Sequence, residues 1–119
     1  MKGEDLKTRT KEFAMRVIKM TTAIPDHFSS PTISHQIIRS STSVGANYRA
    51  ACRAKSRRDF VNKLKMVEEE LDETSYWLEL IEEINIFPEG KVSPLIDESN
   101  ELLSIIVASI RTARTNSKK

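Results

Sequence analysis

The chain has little of what turns, disulfides and metal sites are made from. It carries three glycines and four prolines in 119 residues, and aromatic side chains make up 6% of it. A sandwich or barrel needs far more turn residues, whereas the wealth of Leu, Ile, Ala, Glu, Lys and Arg favours helices. A single cysteine, Cys52, cannot close an intrachain disulfide, and the polar residues from Met1 to Thr10 lack the apolar centre of a signal peptide. A reducing cytoplasm is therefore expected. No segment approaches the ~20 consecutive apolar residues of a membrane span. The most apolar one, Leu102 to Ile110, is broken by Ser104 and Ser109, so a soluble protein with no membrane partner is expected.

Histidine is also scarce. Di-iron helical bundles need Glu-x-x-His on two helices. Here His27 and His35 are preceded at that spacing by Ile24 and Thr32, so that site cannot be assembled and both rings are expected in solvent. Cys52 has no neighbouring base to activate it as a nucleophile. No catalytic residue, metal or cofactor is expected. One carboxylate group is the exception. Glu69, Glu70 and Glu73 have the Glu-Glu-x-x-Glu form of all-helical nucleoside triphosphate pyrophosphatases, with Glu98 and Glu101 a helix later. Two such helices would hold magnesium between them, which makes this enzyme the alternative reading. The chain departs from it at Glu98 and Glu101, where those enzymes carry Glu-x-x-Asp.

What is present is a helical repeat. Leu6, Thr10, Phe13, Val17, Met20 and Ile24 follow steps of three and four, the spacing of one buried helix face. Pro25 ends that helix. Ser29, Ser30 and Pro31 restart the chain, since serine caps free amides and proline suits a first turn. The second stripe reads Ile33, Ile37, Ser40, Val44, Asn47, Ala51, with small or polar residues where Leu is expected. Ser56 and Asp59 resemble a capping box before the cleanest stripe, Phe60, Leu64, Val67, Leu71, Thr74, Leu78, Ile81. Phe87, Pro88 and Gly90 break this helix, and Ser93 with Pro94 starts a fourth. Two apolar rows run along it, Leu95, Leu102, Ile106 and Ser109 beside Ile96, Leu103, Ile106 and Ile110. That is wider than one seam needs and leaves area for another subunit. A polar tail from Thr115 to Lys119 is expected to fray. Helices over about 4–24, 31–54, 57–85 and 94–114 joined by short links close as one all-α domain over 1–119, an antiparallel up-down-up-down four-helix bundle.

Charge is unevenly spread although the net is only +2. Between Arg39 and Lys65 eight cations face one acid, Asp59, whereas the stretch from Glu68 to Glu83 holds no Lys or Arg. This places a basic rim of Arg49, Arg53, Lys55, Arg57 and Arg58 at one end, a candidate contact for RNA, DNA or a nucleic-acid-processing partner. Asn47 is expected to point inward and bond Glu70 or Thr74, a polar lock on register. Tyr76 and Trp77 are adjacent, so only one can turn fully inward. The other is expected to anchor an oligomer surface.

The run Ser43-Val44-Gly45-Ala46-Asn47-Tyr48-Arg49-Ala50-Ala51, followed by Arg53-Ala54-Lys55-Ser56, Phe60, Lys63-Leu64, Val67, Glu69-Glu70, Asp72-Glu73 and Tyr76-Trp77-Leu78-Glu79, resembles the bacterial four helix bundle protein family. That family is also described as the protein encoded in intervening sequences of large-subunit ribosomal RNA genes. The resemblance implies a homo-oligomer, a ring-shaped pentamer, without an established enzymatic activity. A related branch is the accessory protein of diversity-generating retroelements, whose partners are nucleic acid and a reverse transcriptase. Many family members carry Asn-Ile-Ala-Glu-Gly where this chain has Asn47-Tyr48-Arg49-Ala50-Ala51.

Overall fold

The computed structural model describes residues 3–28 and 31–117. Four helices follow one another: α1 over Gly3–Thr22, α2 over Pro31–Cys52, α3 over Arg57–Glu83 and α4 over Ser93–Ser117, with a 3-10 turn at Asp26–Phe28. No strand occurs among the described residues. The boundaries lie within three residues of those expected. The expected serine cap at Ser29 and Ser30 lies outside the described residues. At α3 the cap is visible, the Ser56 hydroxyl accepting from the Asp59 amide at 3.0 Å. α4 continues through Thr115 to Ser117, where fraying was expected, because nothing between Arg111 and Ser117 breaks a helix. In the α3–α4 link, Asn85 and Gly90 adopt left-handed φ values of 55° and 85°, which these two residue types tolerate best.

Sequential helices pack side by side. The α2–α3 contact is the most extensive and the closing α1–α4 contact the least, while α1 and α3 sit on a diagonal, their backbones nowhere within 8 Å Cα to Cα. The result is an up-down-up-down bundle, a rod of 54 × 21 × 20 Å. One end gathers the start of α1, the end of α2, the start of α3 and the end of α4. The core is built from the expected stripes: Phe13 and Val17 of α1, Ile37 and Val44 of α2, Leu64, Leu71, Leu78 and Ile81 of α3, and Leu102 and Ile106 of α4 are all fully buried.

The second stripe differs at one place. Tyr48, not Asn47, enters the core. Both three and four residues after Val44 are allowed by a 3.6-residue turn, and the larger apolar ring takes the inward place. Asn47 stays half-buried and donates to the Ser43 carbonyl of its own helix at 3.0 Å, so it makes no bond to Glu70 or Thr74. Burial, then the neighbouring Cys52, push the Tyr48 phenol well above its ordinary range. The polar lock keeps Thr74 but takes serines in place of Asn47. The hydroxyls of Thr74 and Ser40 lie 2.8 Å apart between α3 and α2, and Thr74 also reaches the Glu70 carbonyl at 2.8 Å. Next along α3, Ser75 meets Ser99 of α4 at 2.6 Å. Two buried hydroxyl pairs on consecutive residues thus tie three helices into one register, since sliding any of them would strand a hydroxyl in the core.

Gly45 marks the close approach of α2 to α1. A Cβ built there would sit 3.5 Å from Thr10 Oγ1 and 3.8 Å from the Lys11 amide nitrogen, ordinary contact distances. Gly45→Ala is therefore expected to fit and, by removing a glycine from a helix interior, to stabilise the fold by about 0.5–1 kcal/mol. Gly45→Leu would push into the α1 backbone. A thermal melt checks the pair: the midpoint should rise for alanine and fall for leucine, and a fall for both would contradict the clearance at Gly45.

Candidate nucleic-acid interface

Two cations of the rod, Arg9 and Arg39, are neutralised by carboxylates of a neighbouring helix. Arg9 of α1 grips Glu98 of α4 through two bonds of 2.7 Å and reaches Glu101 at 2.9 Å. Arg39 of α2 pairs with Glu73 and, at 3.3 Å, Glu70 of α3. These pairs draw their carboxylates down. Arg9 holds Glu98 below the usual carboxylate range, while the Trp77 indole N–H at 3.0 Å and then Arg39 do the same for Glu73.

Glu98 gives a pH dependence whose sign can be worked out. A carboxylate depressed in the folded chain adds stability above its unfolded value, about 4.3, and that stability disappears as pH falls through the lower folded value. Urea midpoints should therefore drop below about pH 4, and Glu98→Gln should flatten that part of the profile. An unchanged slope in the variant would show that the Arg9 pairing does not contribute.

The same contacts take apart the magnesium site of the alternative reading. Glu70 and Glu73 lie on the α2 side of α3, whereas Glu98 and Glu101 lie on the α1 side of α4. The two sets do not face each other, and Glu69 is exposed. Among the described residues no group of three or more His, Cys, Asp or Glu is arranged to hold a metal ion. His27 and His35 are both exposed.

The basic rim has a different character. Arg49 ends α2, Arg53 and Lys55 lie in the connection, Arg57 and Arg58 open α3, and all five are exposed. None of them forms an ion pair among the described residues. Topology adds cations that the charge run did not disclose. Lys11 of α1 shares a groove with Arg49, and Lys65 of α3 shares another with Arg111 and Arg114 of α4. No Asp or Glu follows Glu101 in the chain, so the whole C-terminal half of α4 adds only positive charge there. Acids at this end are few, among them Asp5, Asp59 and Glu68.

Between the α2–α3 connection and the last turns of α4 runs an open groove of about 940 Å³. Ala51, Cys52, Ala54 and Phe60 line it from one side, Ile105 and Ala108 from the other, and Arg57 stands on its wall. Small side chains keep the floor shallow while the cation stays at the rim. The arrangement can hold an extended anion by charge, with an apolar strip beside it. The opposite half of the rod, with Glu79, Glu82, Glu83, Glu89 and Asp97, would repel such a ligand.

Of the two adjacent aromatics, Tyr76 faces out at 57% exposure, and Trp77 lies half-buried against the core with its indole on Glu73. Among the described residues no helix is long and apolar enough to cross a membrane.

Comparison with solved structures finds a protein of unknown function from the S23 ribosomal protein family of Bacteroides thetaiotaomicron VPI-5482. It is 34% identical, superposes with a TM-score of 0.85, and the match covers 93% of this chain and 99% of that one. No curated protein matches. That neighbour shares the helical architecture, and the model for the 23S rRNA-intervening sequence protein matches residues 4–108, taking in most of all four helices. With nearly the whole bundle matched, the chain belongs to the 23S rRNA-intervening sequence protein family.

Proposed function

We propose that the protein is a non-enzymatic oligomeric scaffold whose basic end binds RNA through its phosphates. The observation that carries this reading is selective neutralisation. Arg9 and Arg39 are paired with carboxylates of a neighbouring helix, whereas Arg49, Arg53, Lys55, Arg57 and Arg58 are exposed at one end without such partners among the described residues. Exposed cations grouped this way repel one another and gain most from a polyanion, which releases its own counterions on binding. The family's description, which names a ribosomal RNA intervening sequence, agrees with RNA as the polyanion. The end has one nearby aromatic, Phe60, in its groove. Contacts to phosphate rather than to bases therefore dominate, and affinity should vary little with sequence.

Titrating a fluorescent single-stranded RNA with the full chain tests this. Five phosphate contacts at ~0.7 each give a log–log salt slope of about −3.5, roughly a hundredfold loss of affinity between ~50 and ~200 mM salt. RNAs of unrelated sequence should behave alike. Affinity indifferent to salt, or no binding at low salt, would remove the reading.

A further inference from the structure

The groove between the α2–α3 connection and the last turns of α4 changes chemistry from floor to rim. It holds about 940 Å³, and no Asp or Glu lines it. Phe60 packs against the core on one side, is half-buried, and still lines the groove. Around it lie Ala51, Ala54, Ile105 and Ala108, none of which has a side-chain donor or acceptor. Such a floor suits phosphate badly, because an anion laid on it would lose water without gaining a hydrogen bond. At the rim the cations begin. Arg57 stands on the wall, and Arg53, Lys55 and Arg58 belong to the same connection, all four exposed and without ion pairs among the described residues. The acids of this end, Asp5, Asp59 and Glu68, do not line the groove. On the α4 side the Ser109 hydroxyl donates to the Ile105 carbonyl at 2.9 Å, while Thr112 and Asn116 bring exposed polar side chains to the edge.

We infer that this groove seats an unstacked base of single-stranded RNA, the base lying on Phe60 and the flanking phosphates on the cations of the rim. The inference rests on the RNA reading proposed above and names the form of RNA that the basic end selects. A nucleobase matches both chemistries of the groove. Its face is a flat π-surface that covers the Phe60 ring and the neighbouring alanines, and its edge carries donors and acceptors for Thr112 and Asn116. The planar guanidinium of Arg57 offers a second stacking surface. Small-molecule sites run from about 300 to 1,000 Å³, so the groove has room for a nucleoside. Charge alone would predict the opposite preference. A duplex packs its phosphates more densely than a single strand, so a purely electrostatic end would hold the duplex at least as well. In a duplex every base is paired and stacked, and its face is closed to a side chain. The groove therefore turns the preference towards single strands. All four bases present such a face, so sequence still matters little.

Anisotropy titrations of the full chain with a short fluorescent oligouridylate, and with an RNA duplex of the same length, test the seat. At ~200 mM salt, where phosphate contacts are weakened, the single strand should bind about tenfold or more tighter than the duplex, the usual effect of one stacked base. Two variants, each checked for unchanged helicity, read the groove without touching a cation. Ala108→Leu fills it from an exposed position where leucine suits the helix. Phe60→Leu keeps the apolar contact with the core and removes the ring. Both should lose most of the single-strand preference while the salt slope stays as in the wild type, because the phosphate contacts remain. No binding of either RNA, or binding indifferent to salt, overturns the RNA reading and the base seat with it. Steep salt dependence with the duplex bound as tightly as the single strand, or an undiminished preference in either variant, overturns the base seat alone.

Discussion

Replacing Arg53, Arg57 and Arg58 together with Gln should reduce the salt slope of RNA binding by about 2 and weaken binding at ~50 mM salt on the order of a hundredfold or more. The three residues are exposed and make no ion pairs among the described residues, so the fold should survive their loss. The comparison that makes the result informative removes three charges elsewhere. Arg16, Lys19 and Lys91 line a groove at the other end of the rod, between α1 and the start of α4. Changing those three to Gln alters net charge by the same amount. If binding depended on overall charge alone, both triples would weaken it equally, and that outcome would contradict a localised site. If the basic end is the site, only the first triple changes the slope, because slope counts phosphates contacted rather than total charge.

Phe13→Ala is expected to cost about 3–5 kcal/mol, the usual range for deleting a fully buried ring. Domains of this size are stable by only about 5–15 kcal/mol, so the variant should sit close to unfolding at room temperature. Phe13 is the largest fully buried side chain of α1. α1 packs far more extensively on α2 than on α4, to which Arg9 is tied through Glu98 and Glu101. Losing the ring should therefore free α1 first. Hydrogen exchange ought to show protection lost across residues 3–22 before α3. A cost under ~1 kcal/mol, or protection lost evenly over all four helices, would mean that α1 is held mainly by something other than this ring.

Periodicity alone disclosed the four helices, because steps of three and four between apolar residues need no knowledge of neighbours. It could not decide between Asn47 and Tyr48, since both positions after Val44 satisfy the turn. Packing volume made that choice. The polar layer left a trace that was readable in principle: Ser40, Thr74 and Ser99 each occupy a stripe position where an aliphatic residue would normally stand. Pairing Thr74 with Ser40 and Ser75 with Ser99 needed the alignment of three helices, which no local pattern carries. The same holds for Arg9 with Glu98 and Arg39 with Glu73, separated by 89 and 34 residues. Sequence adjacency showed that Tyr76 and Trp77 could not both be buried. Trp77, three residues after buried Thr74 and four before buried Ile81, lies beside the inward stripe, and its indole donates to Glu73 one helical turn earlier. The basic rim was legible as a run of charge between α2 and α3, but the contribution of α4 followed only from topology, which brings its last turns to the same end.

The proposed RNA contact is tested most directly by photocrosslinking of the wild-type chain to a 4-thiouridine-substituted single-stranded RNA, followed by mass spectrometry of any attached peptides. Crosslinks should concentrate in peptides covering 49–58, with a second group around Arg111 and Arg114. Crosslinks gathered instead between residues 68 and 101, on the acidic part of the rod, would contradict the account.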